Sequence, residues 1–403
     1  MPHSRSFWEL VLAYLCLVLS NSVLYAGPVY RAAAATAMGW SQEAVTGAFA
    51  LGFLLVIPVP FFTGWVADRW GARVVLSGGM LLAALGLCGA ATSDRLWQWY
   101  ASAGGLLSIG CSTVFNGASL LAAGRQRRGS ILGINASATG LGLALGSPLT
   151  QVLLYAYGWR ATLGYAGIAL ALLGLAVIMN GGQSRGREAQ RKTVSNTQSS
   201  LPRATPQRLR LAGFFMGYVL VAFYDESVYQ HVYTYGRTLG LSDLAAASIV
   251  SATSIAYIVG GISGGILSDV LGRRAVLVVA AGGSAVALFG LAHTPAQLVW
   301  LWAAAFGTTL GASLVVRFAT FTDLFAGPWL GRAVGLVAPG YWLGAALATA
   351  GGAAWIEAGI GFRSFYTVAA LAALLWMSLS IVLTRVPSPS SGETGCSSAA
   401  RGL

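Results

Sequence analysis

Twelve apolar runs, each long enough to cross a bilayer as a helix of about 20 residues, fill nearly all of the sequence between residues 7 and 385. Only short turns carrying Arg, Asp, Gly and Pro separate most of them. A backbone in hydrocarbon must satisfy its own hydrogen bonds, and a run of this length does so as a helix. With 56% hydrophobic residues, 9% charged residues and a mean hydropathy of +0.70, the chain cannot make a water-soluble surface. Spans are placed near 7–30, 43–67, 73–92, 97–122, 129–157 and 160–180 in the first half. In the second half they fall near 211–235, 244–268, 274–293, 296–326, 330–357 and 363–385. The fold class expected is an all-α membrane protein with twelve transmembrane helices.

The net charge of +12 would suit a nucleic-acid partner, but its distribution argues against one. Arg69 and Arg73, then Arg125, Arg127 and Arg128, the basic residues from Arg185 to Arg210, Arg273 and Arg274, and finally Arg332 and Arg385 fall on alternate loops. The intervening loops hold only Arg31, Arg95, Arg160, Arg237 and Arg363. Positive loops stay in the cytoplasm, which puts both termini and the central loop there. The location expected is a cell inner membrane or plasma membrane, with the lipid bilayer as partner, no nucleic acid, and a monomer as the working unit.

Residues 181–208 turn polar and read as a cytoplasmic linker, because they hold too little apolar surface to pack. This divides the chain into 1–180, the linker 181–208, 209–388, and a Ser- and Gly-rich tail over 389–403. The first 30 residues, basic and then apolar, also fit a cleavable signal peptide, but their run is long and further spans follow at once. Cys16, Cys88 and Cys111 lie in spans and Cys396 in the tail, without the spacing of a disulfide framework or metal site. No cofactor is indicated.

The two halves repeat one another. Gly64-Trp-Val-Ala-Asp68-Arg69-Trp-Gly71-Ala-Arg73 recurs 201 residues later as Gly265-Ile-Leu-Ser-Asp269-Val-Leu-Gly272-Arg273-Arg274. Gly158-Trp159-Arg160 is echoed by Gly361-Phe362-Arg363, and Gly133 by Gly335, at offsets of 202 to 203. Duplicated helical halves are a common build of secondary transporters. At these residues, over 7–386, the chain resembles the major facilitator superfamily, whose loop between the second and third helices carries Gly-x-x-x-Asp-Arg-x-Gly-x-Arg. The first copy fits every defined position, and the second lacks only the Arg after Asp. The resemblance implies two pseudo-symmetric six-helix bundles and a conformational latch. Asp68 would address the start of the eleventh helix near Gly331 and Arg332, and Asp269 the start of the fifth near Gly129 and Ser130, each carboxylate facing a helix N-terminal dipole. The plainer reading is that these turns only fix topology.

Candidate site residues are polar groups inside spans, where charge is costly and usually faces a cavity. Arg317 lies near the middle of the tenth span and Asp225 with Glu226 at similar depth in the seventh. In the resembled fold helices 1, 4, 7 and 10 line the central cavity, so these charges would face it. A guanidinium matches a carboxylate or phosphate bidentately, which makes Arg317 the candidate anion anchor. Either acid could carry a proton. Neighbouring acids point about 100° apart on a helix, so one of the two is expected to face the cavity. The competing reading is an internal ion pair of Arg317 with Asp225 or Glu226. His231 is a further candidate for proton coupling or an interfacial hydrogen-bonding residue. Tyr25 and Asn21, Asn116, Tyr257, and Tyr341 with Trp342 complete the expected lining.

Within the superfamily, Tyr25-Ala-Gly-Pro-Val-Tyr30, Gly158-Trp-Arg160 and His231-Val-Tyr-Thr-Tyr-Gly236 are similar to the monocarboxylate and oxalate:formate transporter group. That group carries a substrate-binding Arg in the eighth helix, where this chain has Gly260-Gly261. Two readings follow: Arg317 supplies the charge from helix 10, or the substrate is not a simple monocarboxylate. The multidrug antiporters' fifth-helix motif is matched only in part by Gly142-Leu-Ala-Leu-Gly146-Ser-Pro148. The function expected is transport of a small organic anion, coupled to protons or a counter-anion, with drug or metabolite efflux as the alternative and a membrane sensor further behind. No nucleophile elbow, phosphate loop or metal cluster points to an enzyme.

Overall fold

The computed structural model describes residues 2–123, 128–179, 205–293, 295–325 and 330–384. Most of the expected linker and the whole of the expected tail lie outside these residues. The first span, α1 (Pro2–Tyr25, continued by Gly27–Met38), runs eight residues past its expected end at 30. Pro28 sits in the first turn of the second segment, where its missing N–H is no loss, an alanine run follows, and Gly39 closes the helix at φ 67°. Next, α2 (Gln42–Leu55 with Val59–Trp70) bends by 53° at Pro58, whose ring cannot join the backbone ladder.

The rest of the first half comprises α3 (Ala72–Ala91), α4 (Leu96–Trp99, the π-helical Tyr100–Leu107, then Ser108–Ala123) and the continuous stretch Arg128–Met179. This stretch folds over at Gly158, whose φ of 75° and ψ of 169° are not helical, and so supplies α5 (128–157) and α6 (159–179). In the second half are α7 (Thr205–Thr238), α8 (Asp243–Leu271), α9 (Arg273–His293) and α10 (Val299–Leu324). They are followed by α11 (Leu330–Ala346, a π-helical turn Leu347–Gly351, then Gly352–Glu357) and α12 (Phe362–Leu383). Among the described residues ten helices are long and apolar enough to cross a membrane, and eleven spans result when bent α2 is included. The fold at Gly158 divides one of these, which gives the twelve expected.

The duplication is visible in the backbone. Six of the seven positive-φ glycines among the described residues form matched pairs, Gly39 with Gly240, Gly71 with Gly272 and Gly158 with Gly361. Two residues after the first pair, Ser41 and Ser242 cap α2 and α8 in the same way, each accepting from the amide three residues on. Each half has its own core, one around Leu17, Phe49, Met80, Trp99 and Leu170 and one around Phe214, Tyr224, Leu288, Phe306 and Trp376. Two small clusters bridge the halves, Val29 with Tyr233, Ala246 and Ala247, and Phe53 with Ala222, Ala345 and Ala346.

Turns that follow odd-numbered spans share one end of the molecule, here the odd face, and the termini with the remaining turns share the even face. Polar contacts between the halves line the odd-face half. Tyr155 of α5 donates to Asp243 at the start of α8 (2.9 Å), and the Glu43 amide at the start of α2 donates to Glu357 at the end of α11 (3.0 Å). The repeat relates these two contacts, because Tyr155 and Glu357 are 202 positions apart and Glu43 and Asp243 are 200 apart.

Candidate functional site

Arg317 is 2% exposed on α10. Its guanidinium carbon stands 4.7 Å from the ring centre of Tyr218 on α7, a cation–π contact. Its Nε and Nη1 have no hydrogen-bond partner, and among the described residues no carboxylate reaches it within ion-pair distance. The internal ion pair with Asp225 or Glu226 is therefore not formed. A buried guanidinium with idle donors is costly to keep.

The two acids on α7 differ in setting. Asp225 is partly exposed and its Oδ2 accepts from the Tyr341 hydroxyl of α11 at 2.7 Å, while its Oδ1 has no partner. Glu226 is fully buried and accepts from Gln230 Nε2 at 2.7 Å, one helical turn on. Tyr25, Tyr229, Tyr257 and Tyr341 lie within electrostatic reach of one or both acids. The rings of Tyr25 (α1) and Tyr229 (α7) meet edge to face at 5.5 Å, joining the two halves at this level. Trp342 stacks on Phe53 of α2 at 6.1 Å. Asn116 on α4 is half-buried with Nδ2 unpartnered, and among the described residues no hydrogen bond ties it to the α7 group. Asn21 donates to the Leu17 carbonyl of its own helix.

His231 is buried, its Nε2 lies 3.1 Å from the Ala348 carbonyl and its ring meets Phe365 edge to face. Ala348 belongs to the π-helical turn of α11, where the wider ladder leaves carbonyls for side chains.

Arg31 reads from the sequence as a loop residue, yet it is 2% exposed on the continuation of α1. Its Nη2 donates to Gln230 Oε1 (2.9 Å) and to the Gln230 carbonyl (3.2 Å), and its guanidinium covers Phe49 at 4.6 Å. The alanine run after Pro28 and the following Gly are the signal that the helix goes on, carrying Arg31 inside. Of the remaining loop arginines on that face, Arg160 pairs with Asp94 at 2.7 Å and Arg237 with Asp243 at 2.7 Å.

The residues expected to form a latch occupy the even-face ends of α2 and α8 and the starts of α3 and α9. Gly64 and Gly265 lie in the last turns of α2 and α8, and Gly71 and Gly272 make the left-handed turns, at φ 92° and 85°. Arg73 pairs with Glu9 of α1, and Arg273 with Asp323 of α10 while donating to the Ala319 carbonyl at 2.6 Å. These arginines therefore staple spans within one half. Arg69 lies over the Trp70 ring; Asp68, Asp269 and Arg274 are exposed. Their expected addresses at Gly129, Ser130, Gly331 and Arg332 fall outside the residues whose side chains are described.

Of the pair Gly260-Gly261, packing closes the first position, while at the second the nearest atoms are an ordinary 3.7 Å away. A Cβ on Gly260 would stand 1.9 Å from the Thr308 carbonyl oxygen, and one on Gly311 would stand 2.0 Å from that of Tyr257. Thus α8 and α10 touch backbone to backbone, and no side chain fits at 260. In α5, Gly142 and Gly146 press in the same way on the Val18 and Ser22 carbonyls of α1, so the partial antiporter motif is a packing seam.

The family model "Major Facilitator Superfamily" matches residues 10–247 and 214–396, which is nearly the whole chain. The chain belongs to the major facilitator superfamily. Consistent with this, the crystal structure of a variant of the nucleoside transporter NupG superposes with a TM-score of 0.75 at 13% identity, covering 94% of this chain and 100% of that one; this shows the shared fold. Among curated relatives, monocarboxylate transporter 13 of Rattus norvegicus is 29% identical over 282 residues, 68% of this chain and 64% of its own length. The oxalate:formate antiporter of Oxalobacter formigenes is 29% identical over 348 residues, 82% of this chain and 80% of its own. The cis,cis-muconate transport protein of Acinetobacter baylyi is 26% identical over 313 residues, 73% of each. The chain spans just under two thirds of the rat protein. As a superfamily member near this group it is a multi-span membrane protein with two pseudo-symmetric six-helix bundles.

Proposed function

We propose that this protein moves a small organic anion, a carboxylate, across the cell membrane by alternating access, coupled to protons or a counter-anion. The observation that carries the proposal is Arg317, buried on α10 with two idle donors. A carboxylate would supply both missing acceptors at once. The three relatives named for monocarboxylate, oxalate:formate and cis,cis-muconate transport point to the same substrate chemistry. Asp225, held by Tyr341 and partly exposed, is the acid best placed to meet the substrate, and buried Glu226 would hold the second proton position.

The positive-inside distribution makes the even face cytoplasmic, with both termini there. Contacts between the bundles along the odd-face half then close the path outward. Release of those contacts, and engagement of Asp68 and Asp269 at the even face, would open the site to the outside.

The test is thermal stabilisation of the purified protein by a panel of organic anions and lipophilic cations at two pH values. A ligand that binds only the folded state raises its stability by mass action. The expected result is a shift with a carboxylate that disappears in Arg317→Ala. A shift only with lipophilic cations, lost in Asp225→Asn or Glu226→Gln, would make the protein an efflux antiporter instead.

A further inference from the structure

A second buried arginine with idle donors lies about 18 Å along α7 from Arg317, since Gln230, which holds Arg31, is twelve residues from Tyr218, whose ring covers Arg317. A cavity of about 280 Å³ opens between the halves near the odd face, lined by Arg31 of α1, Thr46 of α2, Gln230, His231 and Thr234 of α7, and Glu357 of α11. Arg31 is almost fully buried, yet its Nε and Nη1 have no hydrogen-bond partner. Its third donor nitrogen is taken up by Gln230, a neutral side chain.

Among the described residues Arg31 makes no direct ion pair. Glu226 lies within electrostatic reach of it but hydrogen-bonds Gln230 and leaves the guanidinium's idle nitrogens without an acceptor. Glu357 is occupied by the Glu43 amide at the start of α2, and Glu43 itself is exposed. His231 is turned to the Ala348 carbonyl. Of the charged groups on the four spans that wall the cavity, Arg31 alone offers idle, buried hydrogen-bond donors among the described residues. A structural arginine would be expected to satisfy its fork with carbonyls or a carboxylate.

We infer that this cavity is a second anion site, an antechamber in which Arg31 and Gln230 take the carboxylate of a small organic anion on its way between the odd face and Arg317. The volume lies at the lower edge of ligand pockets and suits an anion of a few heavy atoms. The site draws its substrate class from the proposed function, but its existence does not depend on Arg317 binding anything. Each bundle contributes one arginine, Arg31 from the first and Arg317 from the second, so an anion would pass from one half to the other as it moves inward.

The experiment uses the full chain in lipid nanodiscs with Cys88→Ser and Cys396→Ser, leaving the buried Cys16 and Cys111, and with Thr234→Cys as a reporter in the cavity. The reporter is labelled with sulfonatoethyl (anionic) and trimethylammonium-ethyl (cationic) methanethiosulfonates, with and without oxalate. The anionic reagent should be favoured, and Arg31→Gln should lower the anionic-to-cationic rate ratio by about tenfold, the effect of losing one nearby charge. Oxalate should slow labelling in the reporter protein and in Arg317→Gln, but not in Arg31→Gln. Arg31→Lys, which keeps the charge, should retain most of the ratio and guards against misfolding of the Gln variant. The inference is overturned if oxalate gives no protection, or if protection persists in Arg31→Gln and is lost in Arg317→Gln. The second pattern leaves the central site intact and removes only the antechamber; loss of carboxylate stabilisation with protection retained does the reverse.

Discussion

Gly260→Ala tests the backbone contact that ties α8 to the helix bearing Arg317. The new Cβ would lie 1.9 Å from the Thr308 carbonyl oxygen and 2.6 Å from its carbon. A close carbon–oxygen contact needs about 3.3 Å, so the two backbones must part by about 1.4 Å. Neither neighbour can yield by a rotamer change, because both are main chain within helices. Overpacking of this kind costs about 1–3 kcal/mol. Gly261→Ala is the control, one residue along and turned by about 100°, where the nearest atoms are an ordinary 3.7 Å away. There the helix preference for Ala over Gly should make the change neutral or slightly stabilising. The assay is reversible unfolding in mixed micelles by titration with dodecyl sulfate, followed by tryptophan fluorescence. Because α10 carries Arg317, Gly260→Ala should also weaken carboxylate-induced stabilisation, whereas Gly261→Ala should not. Equal stability of the two variants would refute the claim that α8 and α10 meet without room for a side chain.

Asp225→Asn and Glu226→Gln mimic the protonated acids permanently, so a variant at the proton-carrying position should keep anion exchange in proteoliposomes while losing uptake driven by a pH gradient. If both variants keep gradient-driven uptake, neither acid carries the proton. Removing the within-half staples by Arg73→Ala or Arg273→Ala should lower stability by no more than about 1 kcal/mol each, because these pairs are part-exposed. Asp68→Asn and Asp269→Asn should leave unfolding unchanged but slow transport, and normal rates in both would remove the latch. Tyr341→Phe takes away the only side-chain hydrogen bond of Asp225 among the described residues and should depress transport about tenfold or more at unchanged expression, measured as initial uptake rate.

The fold was legible because a bilayer admits few solutions. Apolar runs alone fix twelve helices, and the Asp68 and Asp269 turns expose the duplication. Depth was legible for Arg317, Asp225 and Tyr341, which lie well inside their runs. What the sequence hides is how far a helix continues once its residues stop being strongly apolar. Arg31 follows a proline, and a hydropathy profile takes it for a loop residue, although Ala-rich sequence keeps the helix going to Met38. Side-chain pairing is hidden too. Arg317 and Asp225 are the natural pair at equal depth, yet Asp225 turns to a phenol on α11 and Arg317 to the ring of Tyr218. The missing arginine at Gly260-Gly261 likewise looks like a lost function in the sequence, and only the contact with Thr308 shows that one of the two positions, 260, is closed by packing.

The π-helical turn Leu347–Gly351 stands between two residues of α11 that serve different partners, Tyr341 toward Asp225 and Glu357 toward the first turn of α2. Such a turn amounts to one residue more than an α-helix needs, so it acts as a phase setting. Deleting one residue within it would restore an even ladder and rotate everything beyond by about 100°. Tyr341 would keep its aim while Glu357 swung away from the opposite half, and the carbonyl that receives His231 would close into the helix. Chain length at this point, more than the identity of any side chain, determines whether the end of α11 reaches across the bundle boundary.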